Sequence, residues 1–171
     1  YLQLADLVCM NDACEELQTL LFLLSSGKPV SKTLHSQFEQ CKQTIEELFL
    51  LHAFDAHVEH RLPLVGGNDG DGMKQHVIIG IECRDIDTCY RVLSVLHRSF
   101  REKPLSFQDY INSPRINGYQ ALHTTLFAHE GMTMECRIGT TDMRQYARIG
   151  MASLCFTQDQ MGLNDYLPWL R

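Results

Sequence analysis

No apolar run in this chain approaches the roughly 20 residues that a membrane-crossing helix needs, since the leucine-rich stretch Leu20–Leu24 ends far too soon. No signal peptide is legible either, so a cytoplasmic chain without membrane contact is expected. Positive charge is also scarce. Fifteen Lys and Arg against 21 Asp and Glu leave a formal charge of −6, which argues against a general DNA- or RNA-binding surface. Any anion site must therefore be local. The 7 cysteines (positions 9, 14, 41, 83, 89, 136 and 155) are odd in number and form no C-x-x-C. Several lie in apolar stretches and read as buried thiols of a reducing compartment. His52, His57 and His60 lack the further Cys or His that would complete a zinc site, so no metal site is expected from them. Internal repeats are absent.

What the chain does contain is one dense polar run, Phe107 to Thr125. It gathers Asp109, Tyr110, Arg115, Asn117, Tyr119, Gln120 and His123 around a single Pro and a single Gly. A connecting loop needs the Pro and Gly for its turns but not so many aromatic and hydrogen-bonding groups. The set suits a planar polyanion: Tyr119 offers a stacking face, Arg115 a cation for phosphate, and Asn117 and His123 donors and acceptors for base or sugar edges. Read from the residues alone, a plain polar loop leading into a strand stands beside that reading.

The run also resembles the guanine-nucleotide loop of the RelA/SpoT alarmone synthetases, whose pattern is close to D-Y-[IV]-x-x-P-K-x-N-G-Y-Q-S-[LI]-H-T. Arg115 replaces the family Lys and Ala121 the Ser. The helix Asp87-Thr88-Cys89-Tyr90 through His97, the strand Gly131–Thr140, the segment Phe38–Arg61 and the final Pro168-Trp169-Leu170-Arg171 extend the likeness to roughly residues 35–171. The resemblance implies a nucleotidyltransferase-like domain that moves pyrophosphate from ATP to the ribose 3′-hydroxyl of GTP or GDP. It implies guanine-nucleotide contacts at Tyr119, Arg115, Asn117, Gln120 and His123.

The other half of the pattern is broken. The family's ATP segment, R-x-K-x-x-x-S-[IV]-x-x-K, has one counterpart here, Arg61, before the chain enters a glycine-rich stretch. The family's metal-binding Asp aligns with Gln75, and the strand Arg that follows it with Gly80. Glu135 remains as the one candidate catalytic carboxylate, while Arg137 stands for the family Gln, Gly139 for an Arg and Leu154-Cys155 for His-Trp. Two polyphosphates approach each other only when Mg²⁺ and cations neutralise them, so these are losses of catalytic chemistry. Mg²⁺ is implied only if the domain is active. Asp69-Gly70-Asp71 sits among four glycines rather than on a strand and reads as a solvated loop.

Apolar periodicity predicts an N-terminal helical or linker segment over residues 1–30, and the resemblance implies a synthetase-type domain over 31–171. Within the second, helices are expected at Ser31–Ala53, from an Asp85 cap to about Phe100, and from Thr140 or Thr141 to Ala152. Strands are expected at Ala56–His60, His76–Ile81, Leu122–Ala128 and Met132–Ile138, the last two joined as a hairpin through His129-Glu130-Gly131. That order gives an α+β domain with a mixed sheet flanked by helices. The chain begins with Tyr and stops within an apolar motif, as a piece of a longer polypeptide would. Three functions compete: a catalytically degenerate regulatory domain that keeps its guanine-nucleotide surface, an active GTP pyrophosphokinase, and a ligand-free structural remnant. The first is favoured, with neighbouring hydrolase and regulatory domains of the same polypeptide as its partners.

Overall fold

A computed structural model describes residues 32–59, 76–115, 117–128 and 132–149. The first helix, α1 (Lys32–Leu51), buries Phe38, Cys41, Ile45 and Phe49, a spacing of three and four that keeps one stripe facing inward. It ends where Ala53 turns to a left-handed φ of 50° and Phe54 N–H closes back on the Phe49 carbonyl at 3.0 Å. Three strands follow with a helix between them: β1 (Ala56–Val58), β2 (His76–Cys83), α2 (Ile86–Ser99) and β3 (Arg101–Glu102). Then come β4 (Gln108–Asp109), β5 (Leu122–Phe127), β6 (Thr133–Thr140) and α3 (Thr141–Ile149).

The strands make one sheet in the order β1-β2-β6-β5-β3, with β4 also pairing β5. Among the described strand pairs only β2–β6 is parallel, so the sheet is mixed, as expected. Strand alternation sorts its two faces. Val77, Ile79, Ile81 and Cys83 of β2, Met134, Cys136 and Ile138 of β6, and Leu122 and Leu126 of β5 form the core with α1 and α2. The opposite face carries Gly80, Glu135, Arg137, Gly139 and His123, and α3 lies against it, with Met143 and Arg144 beside Gly139. This is the face that positions the polar groups.

Helix α2 starts as its sequence predicts: the Asp85 side chain accepts the Thr88 N–H at 2.8 Å. Thr140 caps α3 in the same manner, accepting the Met143 N–H at 3.4 Å. The expected strands are present within two residues of their predicted ends, with β1 stopping at Val58 and β2 running on to Cys83. The short β3 and β4 were not expected. Two-residue strands carry no periodicity, and here Ser106 stands in for a missing rung by bonding both the Thr125 carbonyl and N–H. The segment 1–30, Arg61, the Asp69-Gly70-Asp71 loop, Gln75, the turn at 129–131 and the end of the last helix lie outside the described residues.

Candidate functional site

The polar run folds around Asp109 at the end of β4. Its Oδ1 accepts the backbone N–H groups of Ile111 at 3.0 Å and Asn112 at 2.9 Å, which closes a turn. Its Oδ2 accepts from Tyr90 Oη at 2.9 Å and Asn112 Nδ2 at 2.8 Å. Burial works to raise the Asp109 pKa, but these bonds outweigh it and hold the carboxyl below its usual value. Tyr90 moves the other way, to about 12, through burial and its bond to the carboxylate. The first turn of α2 is thereby tied to the loop.

The second half of the run turns at Gly118, whose φ of 79° favours a residue without a side chain. Asn117 Oδ1 accepts the Tyr119 N–H at 3.1 Å, and Arg115 N–H reaches the Tyr119 carbonyl at 3.1 Å. Gln120 points inward and donates to the Ile111 carbonyl at 3.2 Å, bracing the loop across its width. Helix α3 reaches in through Tyr146, whose hydroxyl donates to the Asn117 carbonyl at 3.1 Å.

At the centre, Tyr110, Tyr119 and His123 pack edge to face, with ring centroids 5.2–6.1 Å apart. The Tyr119 ring is wholly buried, between this cluster and Tyr146 and Ala147 of α3. Arg115 is exposed and lies over the rings, its guanidinium carbon 4.4 Å from the Tyr110 centroid and 5.5 Å from that of Tyr119. Below Tyr119 a chain of polar groups descends to the sheet. The Tyr119 hydroxyl meets His123 Nε2 at 2.7 Å, His123 Nδ1 lies 3.5 Å from Glu135 Oε1, and Arg137 Nε donates to that same oxygen at 2.7 Å.

Burial, then the nearby Arg137 charge, lowers the His123 pKa to about 3, against the opposing pull of Glu135. The ring is therefore neutral at neutral pH. Its position assigns the proton to Nδ1, toward Glu135, and leaves Nε2 to accept from Tyr119.

A second polar pair was not anticipated from the sequence. Arg144 of α3 donates to Glu59 through Nε at 3.1 Å and Nη2 at 2.8 Å, and both side chains are buried. The pair fills the space over Gly80: a Cβ there would collide with the Glu59 carboxylate and lie 2.7 Å from Arg144 Nη2. The strand arginine that the family resemblance expects at position 80 is absent, and a guanidinium from α3 occupies the space above it. Glu59 and Arg144 lie 85 positions apart in the chain, so no local pattern joins them.

The structure thus brings Arg115, Asn117, Tyr119, Gln120, His123 and Glu135 into one assembly, together with Tyr90, Asp109, Tyr110 and Arg137. Arg61 falls outside the described residues. Among the described residues no three His, Cys, Asp or Glu side chains gather as metal ligands.

A family model described as a region found in RelA/SpoT proteins matches residues 69–159. The chain belongs to the RelA/SpoT family. It is 45% identical over 69 residues to the bifunctional (p)ppGpp synthase/hydrolase SpoT of Escherichia coli, covering 40% of this chain and 10% of that protein. It is 36% identical over 104 residues to the bifunctional (p)ppGpp synthase/hydrolase RelA of Mycobacterium tuberculosis, covering 61% of this chain and 14% of that protein. The chain therefore spans only about a tenth of these relatives. In fold it is similar to the small alarmone synthetase 2 of Bacillus subtilis (TM-score 0.55, 18% identity, 80% of this chain and 86% of that one). A GTP pyrophosphokinase family protein of Streptococcus pneumoniae matches with TM-score 0.50 at 16% identity, over 90% of this chain and 85% of that one. These likenesses establish the synthetase-type fold, nucleotidyltransferase-like with a mixed sheet flanked by helices.

Proposed function

We propose that this RelA/SpoT domain binds a guanine nucleotide of (p)ppGpp metabolism at the Asp109–His123 loop and has lost pyrophosphate transfer. In this reading it regulates a cytoplasmic multidomain alarmone hydrolase rather than making alarmone. The observation that carries the reading is the 2.7 Å bond from Arg137 to Glu135. Pyrophosphate transfer depends on positioning and on neutralising phosphate charge, usually with Mg²⁺ held by hard carboxylate oxygens. Glu135, the candidate catalytic carboxylate, is instead neutralised by an arginine at the position where the family pattern has a neutral Gln. Glu59, a second carboxylate on this side of the sheet, is held by Arg144. A divalent cation would have to displace a guanidinium from either, so the described donor set does not fit Mg²⁺ and no step is routed through one.

The guanine side keeps its groups. Arg115 is exposed and can trade its place over the rings and its 3.1 Å bond to the Tyr110 hydroxyl for a phosphate, and lifting it with Tyr110 opens a face of Tyr119 to a purine. Names of the relatives, which couple (p)ppGpp synthesis with hydrolysis, support a hydrolase neighbour. A synthesis assay with radiolabelled ATP, GTP and Mg²⁺ tests the loss: no labelled alarmone is expected. Robust transfer would establish the active GTP pyrophosphokinase reading instead. Calorimetric titration with GDP tests retention, and binding by wild type but not by Tyr119→Ala is expected.

A further inference from the structure

Arg115 closes the loop that its charge equips to bind a phosphate. Its guanidinium carbon lies 4.4 Å from the centre of the Tyr110 ring and 5.5 Å from that of Tyr119, and its Nη2 donates to the Tyr110 hydroxyl at 3.1 Å. That hydroxyl donates in turn to Gln108 Oε1 at 2.6 Å, which latches the tyrosine in place. Among the described residues no carboxylate pairs with Arg115, so two rings and one phenol are what hold its charge. Such a grip is weak beside a phosphate, which a guanidinium meets with paired, charge-assisted hydrogen bonds. Tyr119, meanwhile, has no exposed surface, closed in by Tyr110 and Arg115 as well as by Tyr146 and Ala147 of α3. No base can stack on it until Tyr110 and Arg115 move.

We propose that Arg115 is a gate that makes recognition of the guanine base conditional on phosphate, an inference that rests on the guanine-nucleotide reading of this loop. A polyphosphate that captures the guanidinium withdraws it from both rings and breaks its bond to Tyr110. The face of Tyr119 then opens to the purine. Phosphate and base both favour the open arrangement, so each strengthens the binding of the other. A nucleoside gains no such help, because it must displace the guanidinium with nothing to receive it. The loop therefore selects di- and polyphosphates over nucleosides by more than the worth of the phosphate contact itself. The planar guanidinium suits this task, since it lies flat on aromatic faces where the compact ammonium of a lysine does not. Arg115 is in this sense a specificity-determining residue.

Calorimetric titration of the whole 171-residue chain with guanosine, alone and with saturating inorganic pyrophosphate, tests the coupling, and GDP serves as the control for the site itself. In wild type, pyrophosphate should tighten guanosine binding about fivefold or more, within the usual range of coupling between two ligands. Arg115→Ala should bind guanosine several-fold more tightly than wild type, lose the response to pyrophosphate, and bind GDP more weakly. Arg115→Lys keeps the charge without the planar cover, and it too should take guanosine more tightly than wild type. Arg115 is exposed, so both variants should keep the fold, which circular dichroism checks. Guanosine held no better by Arg115→Ala than by wild type, or a wild-type affinity for guanosine indifferent to pyrophosphate, would overturn the gate, while GDP binding left the guanine-nucleotide reading standing. A lysine variant indistinguishable from wild type would overturn it as well, since charge alone would then be acting. Failure of wild type to bind GDP would end both the gate and the reading beneath it.

Discussion

The Tyr119 hydroxyl and His123 Nε2 are hydrogen-bonded at 2.7 Å, four residues apart, with both side chains buried. This bond makes the proposed ligand-stacking residue part of the domain's own interior. Replacing Tyr119 with Phe removes the hydroxyl and leaves a buried acceptor on His123, so Tyr119→Phe should cost about 1–3 kcal/mol of stability. It leaves the ring intact, so GDP affinity should change little. Tyr119→Ala removes the ring as well, and nucleotide affinity should fall roughly ten- to a hundred-fold, the usual worth of a base-stacking aromatic. Urea unfolding and calorimetry on the two variants separate these effects, and equal GDP affinity in both would remove Tyr119 from the site.

Acid should destabilise the domain through His123. Its pKa in the folded state, about 3, lies below its ordinary 6.5, so between these values the unfolded chain binds a proton that the fold refuses. The unfolded state then holds more protons and stability rises with pH across that window. Expressed the other way, the contribution is complete above pH 6.5 and drains away as pH falls toward 3. His123→Gln, which cannot take the proton, should flatten that slope in urea unfolding measured from pH 7 to pH 4. An unchanged slope would mean that His123 is not the group responsible.

The buried Glu59–Arg144 pair should behave as one unit with Gly80. Removing one partner strands the other charge, and Arg144→Ala should therefore cost about 3–5 kcal/mol. Gly80→Ala attacks the same pair by pushing a methyl group into it, and should also destabilise, although alanine suits a strand better than glycine elsewhere. Because both variants injure one contact, the double variant should lose clearly less than the sum of the singles. Additive losses in a double-mutant cycle would refute a shared cause.

Much of this was legible from sequence for physical reasons. Long elements such as α2 repeat their apolar residues often enough to be read, and Asp85 and Thr140 announce helix starts by the bonds their side chains make. The signature loop was legible because its chemistry lies in consecutive residues. What escaped was decided across the chain. Tyr119 looks like an open stacking face in one dimension, and only the return of α3 with Tyr146 and Ala147 shows it enclosed. Glu59 and Arg144 carry no mark in their own segments of the ion pair that they form. Arg137 looked like the loss of a family Gln, and its meaning appeared only when alternation set it on the same strand face as Glu135.

Asp109 is not among the residues proposed to contact the nucleotide, yet it should control nucleotide binding. Its carboxylate collects four hydrogen bonds, two from the backbone of the turn and two from Tyr90 and Asn112. Asp109→Asn keeps the shape but removes the charge, and its side-chain nitrogen accepts from neither of the two donors that the lost oxygen served. The turn should loosen and the segment from Tyr110 to Tyr119 lose its fixed pose, so ordering it falls to the ligand. GDP affinity should drop several-fold, with faster amide exchange at Ile111 and Asn112. Tyr90→Phe removes one of the same four bonds from the far side and should shift both readouts in the same direction, by less. If Asp109→Asn left affinity intact while exchange at Ile111 and Asn112 rose, the turn and the nucleotide site would be independent of each other.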